Sequence, residues 1–195
     1  DGQFCNLTEV VVRAEDKQKD IMRKVRLASI LGTFQASLTN IKRLRPKWVH
    51  NTEEEALLGV SLTGIMDNEF MNGNSEDRGY YGKRSLPDFL SDLKKETVKT
   101  NEHWSELLGI QQATATTAIK PSGTVSQLVD SASGIHTRHS DYYIRRVRAD
   151  AKDPIAQLME DQGIPAEADV MKPNSVKVFS FPMKAPKGAV TRNER

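Results

Sequence analysis

The chain holds 195 residues, 37% hydrophobic and 28% charged, with a formal net charge of +2. This is the composition of an ordinary globular chain, and so small a charge gives no case for a polyanion-binding protein. A single cysteine, Cys5, excludes a disulfide within the chain, and no apolar run approaches the roughly 18 residues of a membrane-spanning helix. A cytoplasmic protein with neither membrane nor direct nucleic-acid partners is the simplest expectation. The chain opens on Asp1-Gly2-Gln3 without a methionine and stops at Arg195 with no helix completed. It is therefore read as one partial domain, residues 1–195, truncated at both ends.

In chain order, Phe4 to Val12 carries Thr8, Val10, Val11 and Val12 and reads as a loop feeding a strand. From Asp16 to about Leu38 the pattern turns helical, with Ile21, Val25, Ala28, Leu31 and Gln35 on one face. Pro46 and Asn51 punctuate a loop around Trp48, and Thr52 with Glu55 has the spacing of a capping box that starts a short helix. The apolar run from Leu58 to Ile65 reads as a buried strand, and residues 72–84, with Gly73, Gly79 and Gly82, as a surface loop. Leu86 to about Leu108 is a second long helix, with Pro87 in its first turn and Gly109 as its stop.

Ala113 to Ile119 is a small-residue β stretch that runs through Lys120 into Pro121-Ser122-Gly123-Thr124-Val125-Ser126 and a short helix toward Leu128 and Val129. After a loop at Ser131–His139, the alternation of Tyr142–Arg148 predicts a strand rather than a nucleic-acid patch. A helix follows over Asp153–Gln162, ended by Gly163 and Pro165, then a last strand over Val176–Phe181 closed by Pro182. Strands alternating with helices give an α/β fold class, which pattern alone does not resolve into an open sheet or a barrel.

Two places carry candidate chemistry. In Pro121–Ser126, Gly123 lets a ligand approach the backbone. The first amides of a helix, with the hydroxyls of Ser122, Thr124 and Ser126, make an anion cradle to which Lys120 could add charge. The plain alternative is a helix end capped by Ser122 or Thr124 with no ligand. The Gly-Lys-Ser/Thr ending of a P-loop is missing. Cys5, beside apolar residues, fits a small buried hydrophobe, and redox work would need a partner thiol that the chain does not contain. His136 and His139 could form a metal pair by spacing, but two histidines alone are a weak signal and no metal site is assigned.

Five segments, in order, resemble class II, adenosylcobalamin-dependent ribonucleotide reductases. They are Gln3-Phe4-Cys5-Asn6-Leu7-Thr8-Glu9-Val10, Glu55 to Ile65, Pro121–Ser126 continued by Ser133-Gly134-Ile135-His136, Tyr142-Tyr143-Ile144-Arg145-Arg146, and Phe179-Ser180-Phe181-Pro182. The likeness is to the monomeric branch that reduces ribonucleoside triphosphates. His136-Thr137 departs from it, where a family proline often follows the Gly-Ile-x unit.

The resemblance implies the later strands and helices of a ten-stranded α/β barrel with a central finger loop. It implies adenosylcobalamin as the cofactor of the complete enzyme, a radical on a finger-loop cysteine outside this chain, and a cysteine pair that reduces the ribose 2′ position. Cys5 matches one member of that pair. Ser122, Gly123, Thr124, Val125 and Ser126 match the substrate-phosphate loop. A thioredoxin-like dithiol would restore the pair, and the chain alone would be inactive. A diphosphate reductase of another class and a non-catalytic nucleotide-binding module remain the competing readings.

Overall fold

The computed structural model describes residues 2–74 and 85–194. The loop expected over 72–84 thus falls mostly outside the described residues.

The first half is a β-α-β unit to which a further long helix adds on the same face of the sheet. Strand β1 (Asn6–Val11) leads to helix α1 (Gln18–Ala36), helix α2 (Pro46–Glu55) and strand β2 (Leu58–Thr63), which pairs parallel to β1 with Leu7 opposite Gly59 and Glu9 opposite Ser61. Parallel neighbours need a crossover of this kind, and α1 and α2 provide it. Helix α3 (Leu86–Leu108) packs on α1. Residues of alternate parity on the strands face these helices, so Val10, Val12 and Val60 join Ile21, Val25, Ala28, Phe89 and Leu93 in one apolar core.

The buried stripe of α1 differs from the expected one. Leu31 and Gln35 are exposed, and Gly32, Thr33 and Ala36 are buried in their place. Small residues win because the helix lies close to its neighbours: a Cβ on Gly32 would stand 3.3 Å from Leu58 Cδ2, and Asn101 Nδ2 of α3 donates to Thr33 Oγ1 at 3.0 Å. Arg26 adds an ion pair to Glu96 across the two helices.

Helix α3 has the expected bounds. Ser85 Oγ accepts from the Asp88 amide while Asp88 Oδ2 accepts from the Ser85 amide, and Gly109 closes the helix with φ 66°. Helix α2 corrects the reading of residues 46–55. It starts at Pro46, which suits a first helical position because its missing N–H has no acceptor there, and Thr52 lies in the last turn. Thr52 caps nothing at an N-terminus; its carbonyl accepts from Ala56, which ends the helix in the left-handed region at φ 41°.

The stretch over Ala113–Ile119 is extended but forms only an isolated parallel bridge, Val60 with Thr117, rather than a full strand. It still continues the sheet beyond β2: Leu58 and Val60 donate to Ala115 and Thr116 carbonyls, and Ala118 donates to Val60. Helix α4 (Gly123–Leu128) follows.

A second sheet, antiparallel, is built from β3 (Tyr142–Asp150), β4 (Ala166–Ala168) and β5 (Val176–Lys184) in the order β3-β5-β4, with helix α5 (Pro154–Asp161) between β3 and β4. The basic run is a strand, as expected, and two of its charges have partners: Arg146 pairs with Glu167, and Arg148 Nε lies 2.7 Å from Asp169 Oδ2. The Arg148 hydrogen bond, joined by the Met171 and Lys172 amides, holds the Asp169 carboxyl below the usual carboxylate range.

Pro182 does not close β5 but lies inside it, opposite Ile144. Ala185 donates to Asp141 on the β3 side and Ser180 donates to Pro165 on the other. The alternation of an antiparallel ladder therefore turns position 182 away from β3, beyond the end of β4, where no ladder bond is lost.

Candidate functional site

The face of the first sheet turned away from the helices carries Cys5 and leads to the loop at Ser122. Strand alternation puts Cys5, Leu7 and Glu9 on it from the β1 side, and Gly59, Ser61 and Thr63 from β2. Gly59 keeps this surface low. A Cβ there would collide with Leu7 and would stand 3.1 Å from Cys5 Sγ and 3.3 Å from Ala118 Cβ. The thiol and Ala118 thus flank one glycine, and Ala118 stands four positions before Ser122.

The approach to Cys5 is anchored. Phe4 N–H donates to Thr52 Oγ1 at 3.2 Å, Gln3 Nε2 donates to Glu55 Oε2 at 3.1 Å, and the Phe4 ring packs on Trp48. Cys5 is free and exposed as a residue. Partial burial nonetheless pushes its thiol up, so it stays protonated at neutral pH. A protonated thiol suits a hydrogen or electron donor better than a standing thiolate nucleophile.

The segment from Lys120 to Ser126 turns from the sheet into α4. Ser122 has a left-handed backbone, φ 54°, and is buried, and its Oγ has no hydrogen-bond partner. A non-glycine residue in that region carries strain, and a buried unpaired hydroxyl is costly. Gly123, Thr124 and Val125 are exposed. Ser126 N–H makes the first bond of the helix, to Ser122 O, which leaves the three preceding amides without an intrahelical acceptor. The Ser126 hydroxyl, expected as part of the cradle, is instead fully buried and donates back to Ser122 O and Gly123 O.

A latch behind the loop fixes this geometry. Ser133 Oγ donates to Pro121 O, and Gly134 N–H donates to Thr63 Oγ1, which in turn donates to Ala132 O. Gly134 is required there: at φ 55°, a Cβ would stand 3.1 Å from Lys120 O. The segment is held from below by Arg138, whose Nε and Nη2 each lie 2.9 Å from Asp67 carboxylate oxygens, while Asp67 Oδ2 also accepts from the Ala132 amide. Arg138 and Asp67 are both buried. Burial pulls the guanidinium down, but the hydrogen bonds to Asp67, Asp130 and Tyr143 outweigh it and raise Arg138 above its ordinary range.

The structure thus brings Cys5 and the start of the loop to one sheet face, with Ser122 at the loop's strained corner and Gly123 to Val125 on its open side. His136 and His139 do not converge: His136 Nδ1 meets Ser133 O, and His139 packs on the Tyr143 ring. Glu9, Asp67 and Arg138 were not singled out from sequence. For Glu9 the signal was present, since it follows Cys5 at an even spacing along the same strand. Asp67 and Arg138 stand 71 residues apart, and no local pattern links them.

No family model matches the chain. Over 94% of its length it is 29% identical to the adenosylcobalamin-dependent ribonucleoside-triphosphate reductase of Lactobacillus leichmannii. Over 98% it is 27% identical over 197 aligned residues to a probable adenosylcobalamin-dependent ribonucleoside-triphosphate reductase of Dictyostelium discoideum. It spans about a quarter of the length of these relatives, 27% and 24%. Among solved structures, a crystal structure of B12-dependent (class II) ribonucleotide reductase superposes on 97% of the chain with a TM-score of 0.72 and 24% identity, covering 29% of that chain. Over nearly its whole length the chain is therefore similar in sequence to a stretch of the adenosylcobalamin-dependent ribonucleoside-triphosphate reductases, and it shares the fold of the matching part of a class II enzyme.

Proposed function

We propose that this chain is the stretch of an adenosylcobalamin-dependent ribonucleoside-triphosphate reductase that supplies one reducing thiol, Cys5, and the substrate-phosphate loop, Ser122 to Ser126. The observation that carries this reading is the shared sheet face. The thiol and the residue leading into the loop flank Gly59, so a nucleotide held by its phosphates at the loop would extend its sugar over the sheet toward Cys5.

In this reading the amides of Gly123, Thr124 and Val125 donate to phosphate oxygens, and the buried Ser122 hydroxyl finds there the partner it otherwise lacks. Ser126 shapes the loop from behind and makes no phosphate contact through its hydroxyl. Cys5 donates from its protonated form, and with its partner cysteine leaves the reaction as a disulfide, to be restored by a thioredoxin-like dithiol. The cofactor supplies the radical that starts the reaction. The apolar cavity beside β2, lined by Val25, Leu62, Leu93, Ile119 and Ile135, has a volume of about 350 Å³, the lower end of what a drug-sized ligand fills, and is too small for a corrin. No residue here is assigned to the cofactor. No helix among the described residues is long and apolar enough to cross a membrane, and the reading places the enzyme in the cytoplasm as a monomer.

Replacing Cys5 by serine in the full-length polypeptide tests the assignment. Deoxynucleotide formation is expected to vanish while ribonucleoside-triphosphate binding persists. Retained turnover would remove Cys5 from the chemistry.

A further inference from the structure

Extending the functional reading above, and resting on it, is an ion pair on the same sheet face. The Glu9 side chain is only 5% exposed, and its Oε2 lies 3.2 Å from Nζ of Lys120, whose side chain is 26% exposed. Glu9 reaches Lys120 across Ser61, its register partner on β2, and Ser61 Oγ itself accepts the Lys120 amide at 3.1 Å. The other carboxylate oxygen, Oε1, is buried without any partner.

We propose that Glu9 is a positioning residue: it withholds the Lys120 ammonium from the phosphate loop and ties the strand that leads into that loop to the strand that follows Cys5. Lys120 stands two residues before Ser122, where by sequence it could add charge to the cradle or lie on a solvated face. Its charge is already committed. Should Lys120 turn to a phosphate, Glu9 would be left buried with both oxygens unpaired, a state that low-dielectric surroundings penalise heavily. The pair therefore stays closed. The phosphate end of the nucleotide is then held by neutral amides and a hydroxyl, whose positions are fixed by the backbone, instead of by a flexible cation that could pull it toward itself. The bridge also spans β1, β2 and the segment over 113–120, so it sets the separation between thiol and loop.

The test uses the full-length polypeptide and a ribonucleoside triphosphate, with equilibrium binding measured at low and high ionic strength and kcat and KM measured separately. Glu9→Gln frees the ammonium. Binding is expected to tighten about fivefold at low salt, with a steeper loss at high salt, while kcat falls. Glu9→Gln combined with Lys120→Met removes the freed cation and should return the salt dependence to that of the unaltered protein. A purely structural role would weaken binding or leave it alone, without a new salt dependence. Should Glu9→Gln fail to fold, Glu9→Asp, which retracts the carboxylate by one methylene, should move binding in the same direction by less. Unchanged or weaker binding with unchanged salt dependence in the folded variant overturns the inference and leaves the functional reading intact. An unaltered polypeptide that binds no triphosphate overturns both.

Discussion

At Cys5, exposure and desolvation act together. The residue is open to solvent, yet its Sγ lies along Gly59, and this partial burial pushes the thiol up. Alkylation needs the thiolate, so a raised thiol reacts more slowly at a given pH. Iodoacetamide labelling of Cys5, followed by peptide mass spectrometry, should reach half its limiting rate at a higher pH in the folded polypeptide than in the unfolded one. An equal or lower midpoint would contradict the environment described. Ser122 offers a second test at this scale. Its hydroxyl is buried and unpaired, while alanine keeps the same backbone demands. Ser122→Ala should leave stability unchanged or raise it by about 1 kcal/mol in urea unfolding, while weakening triphosphate binding several-fold. Lower stability with unchanged binding would mean that the hydroxyl serves the fold alone.

Among the elements, the segment behind the loop depends on one buried pair. Arg138 is the main partner of Asp67, and the two sit together below the 131–134 segment that holds Pro121 and Thr63. Asp130 adds a bond to Arg138 Nη1 from an exposed position and contributes little. Arg138→Met strands Asp67 in the interior and should cost about 3–5 kcal/mol by urea unfolding, partly regained when Asp67→Asn is added. A loss below about 1 kcal/mol would show that solvent reaches the pair.

The same scale shows what was legible in the sequence. Helix α3 was, because Pro87, Gly109 and a long periodic run mark both ends locally. Strands β1, β2, β3 and β5 were, because alternation or an apolar run between turn residues is also local. Helix α2 was not: Pro46 opens the helix where the local pattern reads as a loop, and Thr52–Glu55 match a capping box by spacing alone. The three residues of β4 carry no periodicity, and their strand character comes from pairing with Phe179, Val178 and Lys177. In the candidate site, Cys5 and Ser122 to Ser126 were singled out from sequence. The internal use of Ser126 and the capture of Lys120 by Glu9 were not, since both depend on where the backbone places partners distant in sequence or turned back on themselves.

For the whole molecule, β1 has β2 on one side and, among the described residues, no strand on the other, while the sheet continues past β2 through residues 113–118. An unpaired edge beside a parallel β-α-β unit fits a segment of a larger barrel, and it matches a chain that spans about a quarter of its relatives' length. Dependence on adenosylcobalamin is measured by incubating the full-length polypeptide with a ribonucleoside triphosphate and a dithiol, with and without the cofactor, and quantifying deoxynucleotide. The account expects product only when the cofactor is present. Product that instead requires a separate radical-generating subunit, with no dependence on adenosylcobalamin, would contradict it.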